Sequence, residues 1–324
     1  MPTRLNGCIG PRRRLGVTWA VVSSTVVSST PSTSPGIVTK LGGYVALTKP
    51  RIIELLLIST VPTMFVAQRG VPGIWLMIAT VVGGTLSAGG ANAINMYVDR
   101  DIDALMSRTK NRPLVTGIIA PRNALVFAVG LEVVAFFFLW ITVNLLSAAL
   151  AVAACLFYVF VYTLWLKRSS EHNIVIGGAA GAVPVLIGWA AVTNEITLAP
   201  IVLFAFMFFW TPPHFWALAI KYKDDYSKAA VPMLPSVANY DTVTRKILNY
   251  TFLVVVFSLL FAVTADLGVI YWTAATVLGA LFIWLAVRVR RTESPAIAMK
   301  LFTYSITYVT VLFGAMAIDV LVGG

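Results

Sequence analysis

Charge is scarce in this chain. Only 11% of its residues are Asp, Glu, Lys or Arg, against about 25% in an ordinary soluble domain, so a water-facing globular surface is excluded for most of its length. Cysteine is nearly absent. Cys8 and Cys155 lie far apart, neither with a ligand-like neighbour, which leaves no disulfide framework, no zinc site and no C-x-x-C-H haem attachment. Histidine occurs twice, at 172 and 214, and no acidic residue precedes Glu54. The hydrophobic segments also lack the alternation of a porin-type barrel.

What fills the chain instead is apolar: 59% of its 324 residues are hydrophobic. The apolar stretches are long enough to cross a hydrocarbon core about 30 Å thick, and helices are then the only spanning solution. Nine spans are expected, at about 50–68, 74–97, 122–143, 145–166, 173–193, 198–221, 245–264, 269–288 and 299–321. The fold class is therefore an all-α polytopic membrane protein, with the helices surrounding a central cavity. Residues 1–40, rich in Arg, Ser, Thr and Pro, read as a disordered tail ahead of a transmembrane domain over 41–324.

The net charge of +11 raises nucleic acid as a partner, but the positions of the charges exclude it. Under this layout every Lys and Arg except Arg69 falls on one side of the membrane. Such a bias places the amino terminus in the cytoplasm and the carboxyl terminus outside, with a plasma membrane as the expected location. The cytoplasmic connections after spans two and six are also the long ones, and long loops carry function.

Both long connections begin with chemistry. Span two ends in NMYVDRDID (95–103), where Asn95, Asp99 and Asp103 recur every four residues and share one face of a continued helix. Oxygen donors on one face, without cysteine or paired histidine, suit Mg²⁺ shared with substrate phosphates. Arg108, Lys110 and Arg112 follow within ten residues. Carboxylates beside three cations make a site for a diphosphate, where metal bridges phosphate oxygens and Arg and Lys neutralise the charge of the departing group. Span six leads, through Pro212 and Pro213, into His214, Lys221, Asp224 and Asp225. On a continuous helix His214, Lys221 and Asp225 lie on one side, and ionisable groups there are functional candidates. His172, at a loop edge, reads as a surface residue.

With these residues in place the chain resembles the UbiA-type intramembrane prenyltransferases, and within them the haem-directed members. The general pattern N-x-x-x-D-x-x-x-D is matched by Asn95, Asp99 and Asp103; the narrower likeness rests on NMYVDRDID, RTKNRPLVTG (108–117), NIVIGGAAGAVPVLIGWAAVT (173–193) and TPPHFWALAIKYKDDY (211–226), with TKPRII (48–53) in agreement. It extends over about 41–324. Many relatives carry a second D-x-x-x-D after helix six; here Asp225 is followed by Ala229, so a K-x-x-x-D of Lys221 and Asp225 replaces it.

The resemblance implies transfer of farnesyl from farnesyl diphosphate to a vinyl group of haem b with addition of water, giving haem O for haem–copper oxidases. Mg²⁺ would sit on Asn95, Asp99, Asp103 and Asp225, and the diphosphate on Arg108, Lys110, Arg112 and Lys221. The catalytic set would be Asp99, Asp103, Lys221, Asp225 and His214, the last ligating iron, orienting water or accepting a proton. Trp210, Phe215, Trp216 and Tyr222 are placed to shelter an allylic cation. The expected surroundings are membrane lipid and, downstream, a haem A synthase. The rival readings are a same-fold enzyme with an aromatic quinone-precursor acceptor and a transporter. A transporter would set its charges near the midplane within repeats, whereas here they gather at one surface.

Overall fold

The structure is a computed structural model and describes residues 36–323, with the side chains of 51–57 outside the description. Most of the expected tail therefore lies outside it, although α1 (Ile37–Thr48) already begins within the last residues assigned to that tail. No strand occurs among the described residues. Each apolar stretch forms a helix: α2 (Pro50–Gln68), α3 (Ile74–Val98), α5 (Pro121–Thr142), a composite fourth span over Leu145–Ser169, α8 (Asn173–Thr193), α9 (Leu198–Lys221), α12 (Tyr240–Thr264), α13 (Val269–Thr292) and α14 (Pro295–Gly323). Among the described residues the eight from α3 onward are long and apolar enough to cross a membrane. The chain is a multi-pass membrane protein, and α2 occupies the place of the expected first span.

The ends of these helices follow local chemistry. Proline opens α2 and α5 at a position whose N–H has no helical partner. Asn144 and Asn239 each accept a backbone N–H from three residues on, from Ser147 and Thr242, and so cap α6 (Leu145–Leu156) and α12. Pro212 and Pro213 do not end α9, which runs through them to Lys221. Short helices fill the long connections: α4 (Arg100–Leu105) after α3, then α10 (Lys223–Lys228) and α11 (Leu234–Val237) after α9.

The spans pack as a ring. Neighbours in sequence touch from α2 through α3, α5 and α6 to α8, α9, α12, α13 and α14, and α14 returns to α2 and α9. Outward faces carry exposed apolar side chains such as Val129, Val133 and Phe137 on α5 and Val256 and Val263 on α12, as a lipid-facing surface requires.

The fourth span is not one α-helix. After α6 it changes to a π-helix over Phe157–Leu166, then closes with α7 (Lys167–Ser169). A ten-residue π-helix is unusual, and such segments concentrate at functional sites. It faces the interior of the ring.

Candidate active site

Within the bundle α2, α3, the fourth span, α8 and α9 surround a cavity of about 350 Å³. One end is polar, lined by Lys49, Asn95, Asp103, Arg108, Arg112 and Lys167. Away from it the wall is made of small and apolar groups, among them Gly84, Ala88 and Ala91 of α3 and Gly177, Gly178 and Gly181 of α8. From Asn95 to Thr80, both on the wall, α3 alone spans about 22 Å at 1.5 Å per residue.

The carboxylate stripe forms as the spacing predicts. Asp99 N–H donates to Asn95 O at 2.9 Å and Asp103 N–H to Asp99 O at 2.8 Å, so helical bonding carries through the α3–α4 junction. Asn95, Asp99 and Asp103 are 3%, 0% and 2% exposed. Buried carboxylates on successive turns require cations, and four basic residues supply them. Lys167 bonds Asp99 Oδ2, and the Arg112 guanidinium meets Asp103 Oδ2 at 2.5 Å. Lys49 Nζ donates to Asn95 Oδ1 at 2.8 Å. Arg168 stands 3.8 Å from Asp99 Oδ1 and forks onto the exposed Asp101 at 2.7 Å. Burial pushes the Lys49 ammonium down to about 7, with Arg112 and Lys167 adding to the fall and Asp99 and Asp103 opposing it. The Arg168 hydrogen bond holds Asp101 down at about 2.

Asp99 Oδ1 is buried without a hydrogen-bond partner. An orphaned carboxylate oxygen costs free energy unless a ligand or ion completes it. Asn95 and Asp103 beside it carry oxygen donors of the kind a hard cation such as Mg²⁺ takes; Asn95 turns its amide nitrogen to Asp99 Oδ2 and its oxygen to Lys49. Among the described residues no three His, Cys, Asp or Glu side chains converge on one metal position, so Asp225 does not join the stripe. It accepts instead from the Ser107 hydroxyl of the long loop. Tyr226, next to it, lines the cavity, and its hydroxyl is raised by burial against the opposing pull of Arg108, which also bonds it. The two charged clusters thus meet through one loop.

Other expected residues lie elsewhere. Lys110 and Lys221 are exposed and off the cavity wall, Lys221 lying 5.5 Å from the Tyr222 ring. The helix that would align His214, Lys221 and Asp225 is interrupted at Tyr222, where α9 ends and α10 begins. His214 is one layer behind the wall. It stacks on the cavity-lining Trp210 at 4.3 Å, lies 4.6 Å from Phe302, and its Nδ1 is 2.7 Å from Ser305 Oγ. Of the four aromatic candidates, Trp210 and Phe215 line the cavity, whereas Trp216 is packed in the core against Tyr250. His172 is exposed beside Glu171. Glu132, within α5, accepts from Ser87 at 3.0 Å.

Sequence reasoning missed Lys49, Lys167, Tyr158, Tyr162 and Tyr226. In sequence Lys167 counts as a topology charge, and Lys49 as a topology charge within TKPRII. Tyr158 and Tyr162 sit in the apolar run FYVFVYTLWL, whereas Tyr226 follows two aspartates whose charge draws the attention, and only the π-helical register turns Tyr158, Tyr162 and Lys167 together onto the cavity.

The fold and site define an intramembrane prenyltransferase architecture, and comparison agrees: residues 56–312 match the model of the UbiA prenyltransferase family, to which this chain belongs. Within that family it is similar to the protoheme IX farnesyltransferase of Parafrankia sp. (strain EAN1pec), 55% identical over 85% of this chain and 88% of the relative. A protein of the same description from Streptomyces coelicolor is 52% identical over 86% of this chain and 91% of its own length. Among solved structures, a digeranylgeranylglyceryl phosphate synthase shares the fold with a TM-score of 0.73 at 17% identity, over 87% of this chain and 99% of that one. A UbiA homologue from Archaeoglobus fulgidus, bound to GPP and Mg²⁺, does so with a TM-score of 0.56 at 15% identity, over 85% and 99%.

Proposed function

We propose that this chain transfers the farnesyl group of farnesyl diphosphate to a vinyl group of protohaem IX (haem b), with addition of water, to form haem O. The observation that carries the reading is a stripe of buried oxygen ligands facing Lys49, Arg108, Arg112 and Lys167 at the polar end of an otherwise apolar cavity. Identity of 50–55% to farnesyltransferases of haem over most of the chain supports the acceptor.

Asn95, Asp99 and Asp103 would hold Mg²⁺. The ion would supply charge neutralisation for the departing diphosphate. Arg108, Arg112, Lys49 and Lys167 bind the diphosphate oxygens and stabilise the leaving group, and the exposed Lys110 and Lys221 add positive charge outside the cavity wall. The bond between farnesyl C1 and the diphosphate oxygen breaks, leaving an allylic cation that Tyr158, Tyr162, Trp210 and Phe215 can face. The vinyl group forms the new carbon–carbon bond, and water adds to the resulting cation and gives up a proton. His214 holds Trp210 in place at that wall. Asp225 anchors the Arg108 loop through Ser107. The polar end faces the cytoplasm, in agreement with the distribution of Lys and Arg, and the product would pass to a haem A synthase.

The test is the haem content of membranes from cells expressing the protein, by chromatography and mass spectrometry, against Asn95→Ala. A haem heavier by one farnesyl group and one water, absent from the control, is the expected result. Unchanged haem with a prenylated aromatic in the lipid extract would transfer the reading to a quinone-precursor acceptor.

A further inference from the structure

Of the three arginines that end α13, one is paired. Arg290 turns to Asp241 of α12 at 3.1 Å. Arg288 and Arg291 are exposed, and among the described residues neither belongs to an ion pair. A free arginine at the end of a membrane helix is by itself a marker of topology. The face it stands on and its depth say more.

At 100° per residue Val277, Leu281, Trp284, Arg288 and Arg291 fall within about 80° of one another, and all five are exposed. The opposite side of the helix, with Phe282, Ala286 and Val289, is wholly buried in the bundle. The exposed stripe therefore looks out to lipid, and it turns from apolar to cationic within about one turn, between Trp284 and Arg288. The Arg288 guanidinium carbon lies 5.0 Å from the centre of the Trp284 ring, a cation–π contact. Tryptophan on the outer face of a membrane helix sits at the level of the headgroups, so the contact keeps the guanidinium at phosphate depth. Arg291 follows about 4.5 Å along the axis on the same side. Arg245 of α12 and Lys300 of α14 are likewise exposed and outside any ion pair among the described residues, and both helices pack on α13. Glu293 is the exposed acid beside them.

The geometry points to a binding site for one anionic phospholipid on the outer face of α13, its phosphate held between Arg288 and Arg291 and its acyl chains lying along Trp284, Leu281 and Val277. Guanidinium forks suit phosphate oxygens. A zwitterionic lipid brings its own cation against the two arginines, and a free phosphate leaves the apolar stripe uncovered. The site stands apart from the cavity and from the reaction proposed for it.

The test counts lipids. Purified full-length protein is exchanged into mixed micelles with equal amounts of phosphatidylglycerol and phosphatidylcholine, and the lipids it retains are measured by native mass spectrometry. The wild type is expected to prefer phosphatidylglycerol at this site about thirtyfold, equivalent to about 2 kcal/mol, or about 1 kcal/mol for each arginine. Arg288→Gln/Arg291→Gln is expected to retain one phosphatidylglycerol fewer. Arg290→Gln, which removes an arginine already paired, is expected to retain as many as the wild type. If the double variant does not accumulate, Arg288→Gln alone is read the same way, with about a fivefold loss of preference expected. Equal retention by the wild type and the double variant would overturn the inference, as would an equal loss in Arg290→Gln, which would make net charge the cause. Displacement of the lipid by excess inorganic phosphate would overturn it in favour of a free anion. Paired chains in the wild type that the double variant separates would overturn it in favour of a second copy.

Discussion

Arg112 reaches back across the mouth of the cavity to hold Asp103 at 2.5 Å. The contact ties the basic loop to the end of the stripe, so the same guanidinium balances the carboxylate and, in the proposed reaction, would also meet the diphosphate. Arg112→Ala is expected to lower kcat by about 10²-fold, the scale for losing one charge-stabilising donor. Steady-state kinetics with farnesyl diphosphate in detergent would check this; unchanged kcat would remove the guanidinium from the reaction.

Asp99→Ala and Asp103→Ala are each expected to abolish haem O formation per molecule of protein accumulated in membranes. Wild-type-like activity in either, judged by haem analysis beside an immunoblot, removes the metal role from that residue.

Lys167 is the direct counter-charge of a carboxylate with no exposure. Removing one partner of a buried pair leaves the other uncompensated, at about 3–5 kcal/mol; Lys167→Met should lower the unfolding temperature markedly. The double variant Lys167→Met/Asp99→Asn should recover much of that loss, since neither charge then remains buried alone. Equal melting of single and double variants would show that the pair is not coupled.

Two cavity glycines on α8 should respond differently to alanine. A Cβ on Gly177 would sit 2.2 Å from the Tyr162 ring, whereas one on Gly181 meets nothing within 4 Å. Gly177→Ala is expected to cost about 1–3 kcal/mol through overpacking and to displace Tyr162, reducing activity. Gly181→Ala should be near neutral in thermal unfolding. The reverse order of the two would contradict this packing.

At the opposite end of the bundle, the Asp319 carboxylate of α14 accepts the backbone N–H groups of Gly268, Ile270 and Tyr271 at the start of α13. Asp319→Ala should cost several kcal/mol, given three hydrogen bonds to a charged acceptor of about 1.5–3 kcal/mol each. Activity per folded molecule is expected to stay unchanged. Thermal unfolding and specific activity measured together would separate the two.

The helical positions were legible because a membrane solvent leaves so few choices. An apolar run of the right length must become a helix, and expected and observed bounds of α3, α8 and α9 differ by no more than one residue. The Asn95–Asp99–Asp103 stripe was legible for a similar reason, since a four-residue period survives the short irregularity at Asp99. Register changes were not legible. Nothing in FYVFVYTLWL marks it as π-helical, so the facing of Lys167, Tyr162 and Thr163 could not be drawn from a wheel of 100° steps. The His214–Lys221–Asp225 side failed for the opposite reason, because the helix stops at Tyr222 and its phase is lost.

The ring has a seam. α14 touches α2, α9 and α13, so the earliest and latest parts of the bundle become neighbours only through it. It also brings Ser305 to His214, and hence to the wall at Trp210. During synthesis at the ribosome every residue of the cavity wall, from Lys49 to Met233, emerges before α12 begins. The charged end and its apolar compartment therefore belong to the first part of the chain, and the last three spans act on them from behind, Ser305 of α14 reaching the wall only through His214 and Trp210.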